Sequence, residues 1–137
     1  RAALAAALRR GVRLRIVVPG TDIDAEVVRK ASRADWGELL EAGAEIHEYQ
    51  PTMFHCKTLI VDRQLVSVGS TNFDNRSFRL NDEANLNVYD PEFAGRVTAV
   101  FEQDLERSRR ITLEAWKNRP WHERLLEKAS ALLSSQL

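Results

Sequence analysis

The segment His55-Cys56-Lys57-Thr58-Leu59-Ile60-Val61-Asp62, with Gly69-Ser70-Thr71-Asn72 following after six further residues, confines both the fold and the chemistry of this chain. Residues 54–61 read as a strand, Asp62-Arg63-Gln64 as a turn and residues 65–68 as the returning strand, so the motif is expected on a β-hairpin. Successive strand residues point to opposite faces. His55 and Lys57 therefore share a face about 7 Å apart, and Cys56 turns to the layer beneath as a small core side chain. An imidazole and an ammonium at that spacing can touch one phosphoryl group, and the small polar bend behind them suits an anion. Six residue types at fixed offsets, each used at about 5%, coincide by chance on the order of once in tens of millions of start positions.

Around the motif, strand and helix patterns alternate. Leu4 and Leu8 have helical spacing in an alanine-rich segment that Gly11 stops, and residues 12–18 read as a strand broken by Pro19-Gly20. Thr21 or Asp22 can cap a helix carrying Val27, Val28 and Ala31. A further helical stretch through Trp36, Leu39 and Leu40 ends at Gly43, before a strand at residues 45–49. Ser70 and Asn72 suit the start of a short helix near residues 73–78. Residues 84–89 alternate as a strand that turns Glu83, Asn85 and Asn87 one way and Ala84, Leu86 and Val88 the other. From Pro91 onward Phe93, Val97, Val100, Phe101 and Leu105 repeat as a long helix. This alternation predicts a layered α/β domain.

Composition narrows the function. A chain of 137 residues with 44% hydrophobic content can bury one respectable core. Its 20 basic and 20 acidic residues cancel, so no global field draws it to nucleic acid, although a local positive pocket remains compatible with that balance. A single cysteine forms no internal disulfide, which makes reduced cytosol the default expectation. No stretch approaches the roughly 20 consecutive apolar residues that span a bilayer. The chain opens at Arg1 within a helical pattern, which suggests a piece of something longer. His47 and His122 read as surface residues, and His47, His55 and Cys56 lack metal-ligand spacing. At the other end Trp121, Leu125, Ala129 and Leu132 share a face, with Leu126 and Leu133 beside them and Lys117, Arg119, Arg124 and Lys128 flanking. Such a tail can lie in a lipid headgroup layer or pack on another domain.

The motif resembles the HKD signature, H-x-K-x4-D-x6-G-S-x-N, of the phospholipase D superfamily. The stretch from about Val12 to Asp90 is similar to the C-terminal half of such an enzyme, and the run from Ser70 to Glu83 looks most like bacterial cardiolipin synthases. The resemblance implies an α-β-α sandwich with a mixed sheet plus C-terminal helices. Residues 1–110 would form a catalytic half with one HKD motif, and 111–137 an amphipathic helical tail.

The resemblance also supplies roles. One motif histidine attacks phosphorus to give a phosphohistidine, a second motif histidine from another half or subunit protonates the leaving alcohol, and an incoming hydroxyl displaces the first. His55 would be one of that pair, with Lys57, Ser70 and Asn72 offsetting charge on the phosphoryl oxygens and Glu83 fixing the tautomer of His55. Asp62 belongs to the signature, yet on an unbroken strand it faces away from the pocket, and turn chemistry explains an Asp there equally well. No cofactor and no metal are implied. The implied activity is phosphatidyl transfer between phospholipids, phosphatidylglycerol among them, at the cytoplasmic face of the bacterial membrane. Two rivals are a homodimeric phosphodiesterase or nuclease, with nucleic acid disfavoured by the charge balance, and a phosphate-binding half that only completes a partner's site.

Overall fold

A computed structural model describes residues 2–20, 32–34, 36–72 and 82–134, without the side chains of 128 and 131–134. In chain order its elements are α1 (Ala2–Arg9), β1 (Arg15–Pro19), α2 (Trp36–Glu41), β2 (Glu45–Tyr49), β3 (Thr58–Val61), β4 (Leu65–Gly69), β5 (Asn85–Tyr89), α3 (Pro91–Glu106), β6 (Ser108–Ile111), α4 (Leu113–Lys117) and α5 (Trp121–Ser134). The expected helices around Val27, Val28 and Ala31 and near residues 73–78 lie outside the described residues. The chain divides into two compact units, residues 1–54 with 107–137, and residues 55–106.

The first unit is built on a sheet of order β1-β2-β6, parallel between β1 and β2 and antiparallel between β2 and β6. Gly11 ends α1 with φ +93°, and Val12 N–H donates back to the Ala7 carbonyl. Sheet pairing then starts later than the β-branched run suggests, at Arg15, because the first rung is Glu45 N–H to the Leu14 carbonyl. Pro19 stays within the strand, since β1 is an edge and one missing donor costs nothing there. The core joins Ala5 and Leu8 of α1 to Trp36, Leu39, Leu40, Ala44, Ile46 and Ile111.

The C-terminal helices belong to this unit. Thr112 caps α4 by accepting from Ala115 N–H at 3.1 Å. The Trp116 indole donates to the Arg33 carbonyl at 2.9 Å and packs so tightly on Gly37 that a methyl group there would overlap its ring. In α5 the apolar face that the sequence left open between a lipid layer and another domain turns outward. Glu127 is 2% exposed and Ser130 is buried, while Trp121 at 73%, Leu125 at 61% and Leu126 at 50% face outward. The cause is a buried ion cluster: Arg119 Nε donates to Glu127 Oε2 at 2.8 Å, and Arg33 Nε lies 3.5 Å from Glu127 Oε1.

The second unit is an antiparallel sheet of order β3-β4-β5 against which α3 packs. Val66 and Ala94 are fully buried between them, and Ile60 and Val88 flank Val66 in the register. Asp90 caps α3 by accepting from Phe93 N–H at 2.7 Å, and Pro91 takes the first helical position. The α/β fold therefore stands as expected, with the described strands gathered into two small sheets, one mixed and one antiparallel.

Candidate active site

All six residues singled out by the sequence, His55, Lys57, Asp62, Ser70, Asn72 and Glu83, lie in the second unit. The hairpin that carries them is shorter than the apolar pattern suggests, because ladder pairing begins at Thr58↔Val68. One further rung, Gly69 N–H to the Lys57 carbonyl at 3.2 Å, extends it to Lys57. Beyond that point the returning chain leaves for β5, where Ser70 N–H donates to the Ala84 carbonyl at 3.0 Å. His55 and Cys56 thus precede the strand instead of lying within it.

Cys56 is solvent-exposed, contrary to the core position expected of it. Its thiol is nonetheless pushed above its ordinary pKa, by desolvation first and then by the carboxylate of Asp104 on α3. Lys57, on the added rung, shares a face of the hairpin with Leu59 and Val61. Its ammonium bends back to donate to the main-chain carbonyl of His55 at 3.0 Å. His55 itself is exposed.

The bend is held from two directions. Ala84 N–H donates to Ser70 Oγ at 3.1 Å, and Thr71 N–H donates to Asn85 Oδ1 at 3.3 Å. Asn85 Nδ2 donates in turn to Ser67 Oγ at 3.3 Å. Gly69 is required by this closeness, since a methyl group at its Cα would overlap the Ala84 carbonyl and Asn85 Oδ1. Ser70 and Asn72 remain exposed at the open end, and Glu83 is half-buried directly before Ala84. His55, Lys57, Ser70, Asn72 and Glu83 therefore gather at one end of the sheet.

Asp62 does not join them. It stands at the far tip of the hairpin, roughly 16 Å along the strand from Lys57 at the usual rise per residue. There Gln64 N–H closes a turn on the Val61 carbonyl at 3.0 Å, with Asp62 at φ 51° and Arg63 at φ 55°. Two positive φ values at the central positions define a type I′ turn, which matches the twist of the hairpin and which Asp tolerates.

Two features went unnoticed in the sequence. Asn85 was placed on the polar side of β5, but its grip on the bend follows only from the Gly69↔Asn85 register. His47, expected at the surface, has a side chain 13% exposed, and among the described residues neither ring nitrogen has a hydrogen-bond partner. Its position mid-strand in the central β2 accounts for this. Among the described residues no group of three His, Cys, Asp or Glu could hold a metal ion, and no helix is long and apolar enough to cross a membrane.

Comparison with known proteins agrees with the residues. The family described as "Cardiolipin synthase, PLD-like domain" matches residues 1–105. The chain is 41% identical over 135 residues to the cardiolipin synthase of Alkalihalophilus pseudofirmus, covering 98% of this chain and 27% of that protein. It is 38% identical to cardiolipin synthase A of Proteus mirabilis, covering 98% of this chain and 28% of that protein. It thus spans about a quarter of the length of the curated relatives it matches. Among solved structures, the phospholipase D family member Nuc from Salmonella typhimurium superposes with a TM-score of 0.67 at 23% identity, over 81% of this chain and 72% of that one. The phosphatidylserine synthase of Haemophilus influenzae gives 0.69 at 18% identity, over 96% of this chain and 36% of that one. These two likenesses speak for the fold.

Proposed function

Because the chain belongs to the phospholipase D-like domain family of the cardiolipin synthases, we propose that it forms one half of the active centre of a phosphatidyltransferase. Residues 1–110 supply one HKD motif, and a second motif comes from another half of the protein or from a second subunit. What supports this reading is the gathering of His55, Lys57, Ser70, Asn72 and Glu83 at one solvent-open end of the sheet in the second unit.

A neutral imidazole is a competent nucleophile near pH 7, and its phosphorylated form is a good leaving group for the next step. In the first step the His55 nitrogen forms a bond to phosphorus while the ester bond to the leaving alcohol breaks, and the second motif's histidine protonates that alcohol. In the second step a hydroxyl of phosphatidylglycerol loses its proton to that same partner and displaces His55. The two histidines can exchange roles without altering the balance. Lys57, the Ser70 hydroxyl and the Asn72 amide offset the charge that builds on the phosphoryl oxygens. Glu83 orients His55. Asp62 acts at a distance, by fixing the hairpin turn.

Charge speaks against the nuclease alternative. Residues 55–106 carry five Lys and Arg against nine Asp and Glu, so the motif-bearing unit is acidic and suits a polyanionic strand poorly. The tail, 111–137, then offers its outward Trp121, Leu125 and Leu126 to the cytoplasmic face of the membrane, where the lipid substrates are. The deciding experiment is to trap radiolabelled lipid phosphate on the full-length protein. Label on His55, together with loss of transfer in a folded His55→Ala variant, is expected. Transfer retained by that variant would refute the proposal. Glu83→Gln should lower the rate less severely than His55→Ala, because the nucleophile remains.

A further inference from the structure

The bend between Gly69 and Asn72 has to hold its shape when an anion arrives, and among the described residues of the second unit the side chain of Asn85 reaches across to tie it down. Gly69 stands opposite Asn85 in the β4–β5 register, and Lys57 meets Gly69 from the other side through the rung to its carbonyl. Lys57, Gly69 and Asn85 therefore form one row across three strands, spanning about 10 Å between the outer two. The middle residue has no side chain. The amide of Asn85 occupies the space that a Cβ at Gly69 would need, and from there its Oδ1 accepts from Thr71 N–H at 3.3 Å. Its Nδ2 is anchored on Ser67 Oγ at 3.3 Å, which fixes the orientation of the amide.

This arrangement divides the labour within the bend. The Thr71 N–H is engaged by Asn85, and Ser70 Oγ already accepts from Ala84 N–H at 3.1 Å, which leaves the Ser70 hydroxyl proton free to turn outward. The Ala84 tie uses backbone and any residue at that position supplies it, whereas the Thr71 tie depends on the side chain at 85. A neutral amide suits the place. It offers an acceptor to Thr71 and a donor to Ser67 at once, and it adds no negative charge beside an anion.

We infer that Asn85 is a positioning residue for the phosphoryl site, holding the bend so that the Ser70 hydroxyl and the Asn72 amide meet the phosphoryl oxygens. This rests on the functional reading above. Misplacing such donors by about an ångström costs on the order of 100-fold in rate.

The test is a double-mutant cycle in the full-length protein, with Asn85→Ala and Asn72→Ala singly and together, and His55→Ala as control. Phosphatidyl transfer is measured as kcat/KM and folding as the thermal transition. Asn85→Ala should lower kcat/KM by about 10- to 100-fold in protein that remains folded. In the Asn72→Ala background the same replacement should cost several-fold less than in the wild type, because one of the two groups it positions has gone and only the Ser70 hydroxyl remains. Full additivity, or a loss explained by the unfolded fraction, overturns the inference. Should Asn85→Ala not fold, Ser67→Ala carries the test, since it removes only the anchor of the amide. A fall in kcat/KM that shrinks in the Asn72→Ala background supports the role, and an unchanged or additive value overturns it. Transfer retained by His55→Ala would sink the functional reading and this inference together. Full transfer in Asn85→Ala beside an inactive His55→Ala would sink the inference alone.

Discussion

Arg63 sits at φ 55°, in the left-handed region where a Cβ crowds the following carbonyl at a cost of roughly 1–2 kcal/mol. Asp62 beside it at φ 51° belongs to a residue type that visits this region more readily. Arg63→Gly gives the Asp-Gly pair that type I′ turns favour and should stabilise the protein by about 1 kcal/mol. An unchanged or lower denaturant midpoint would count against the turn as described. Position 47 bears on pH. Burial withdraws the His47 imidazole from water and holds its pKa below 6.5, with Arg110 and Arg15 adding to the fall and Glu45 opposing it. The unfolded chain thus binds that proton more tightly than the folded one. Stability from this site is present above pH 6.5 and lost as pH falls through the interval between 6.5 and the lower folded value. His47→Gln should flatten the dependence of the urea midpoint on pH below 6.5, and an equally steep dependence in the variant would exclude His47 as its source.

Among the elements, α5 shows most plainly what a sequence pattern leaves open. Apolar periodicity marks which residues share a face, and Trp121 and Leu125 do share one, but periodicity leaves open whether that face turns inward. Here two arginines, Arg33 and Arg119, stand where the helix docks, so Glu127 goes in and the apolar side goes out. Because Trp121 and Leu125 are mostly exposed, replacing both by Ala should leave the thermal transition within a degree or two while weakening partition onto anionic phospholipid vesicles several-fold. A large drop in the transition temperature would show that the face is covered in solution. Strand β3 shows the complementary case. The apolar run marked it correctly, yet its first residue was set by where β4 turns away toward β5, which no local pattern in residues 54–57 reveals.

For the molecule as a whole, residues distant in sequence hold the first unit together. Arg119 Nε bonds Glu127, its Nη1 donates to the Trp116 carbonyl, and its guanidinium lies 3.9 Å from the centre of the Trp116 ring. Trp116 in turn donates to the Arg33 carbonyl, which joins the C-terminal helices to the N-terminal part of the chain. Glu127→Ala leaves the buried Arg119 without its carboxylate and should destabilise the protein by about 3 kcal/mol. A loss under about 1 kcal/mol would mean that the cluster behaves like an exposed pair.

The amino-acid sequence determined the hairpin, its turn, the helix ends at Gly11, Gly43 and Asp90-Pro91, and the set of side chains proposed for the site. Each of these depends on residues within a few positions of one another, through backbone conformation and alternation. The tertiary structure decided the rest: that Asp62 stands at the opposite end of the hairpin from Lys57, that Asn85 reaches across Gly69 to Thr71, that His47 is half-buried, and that α5 turns its tryptophan to solvent. These depend on register between strands and on charges brought together from distant positions, and such pairings are fixed only when the chain closes on itself.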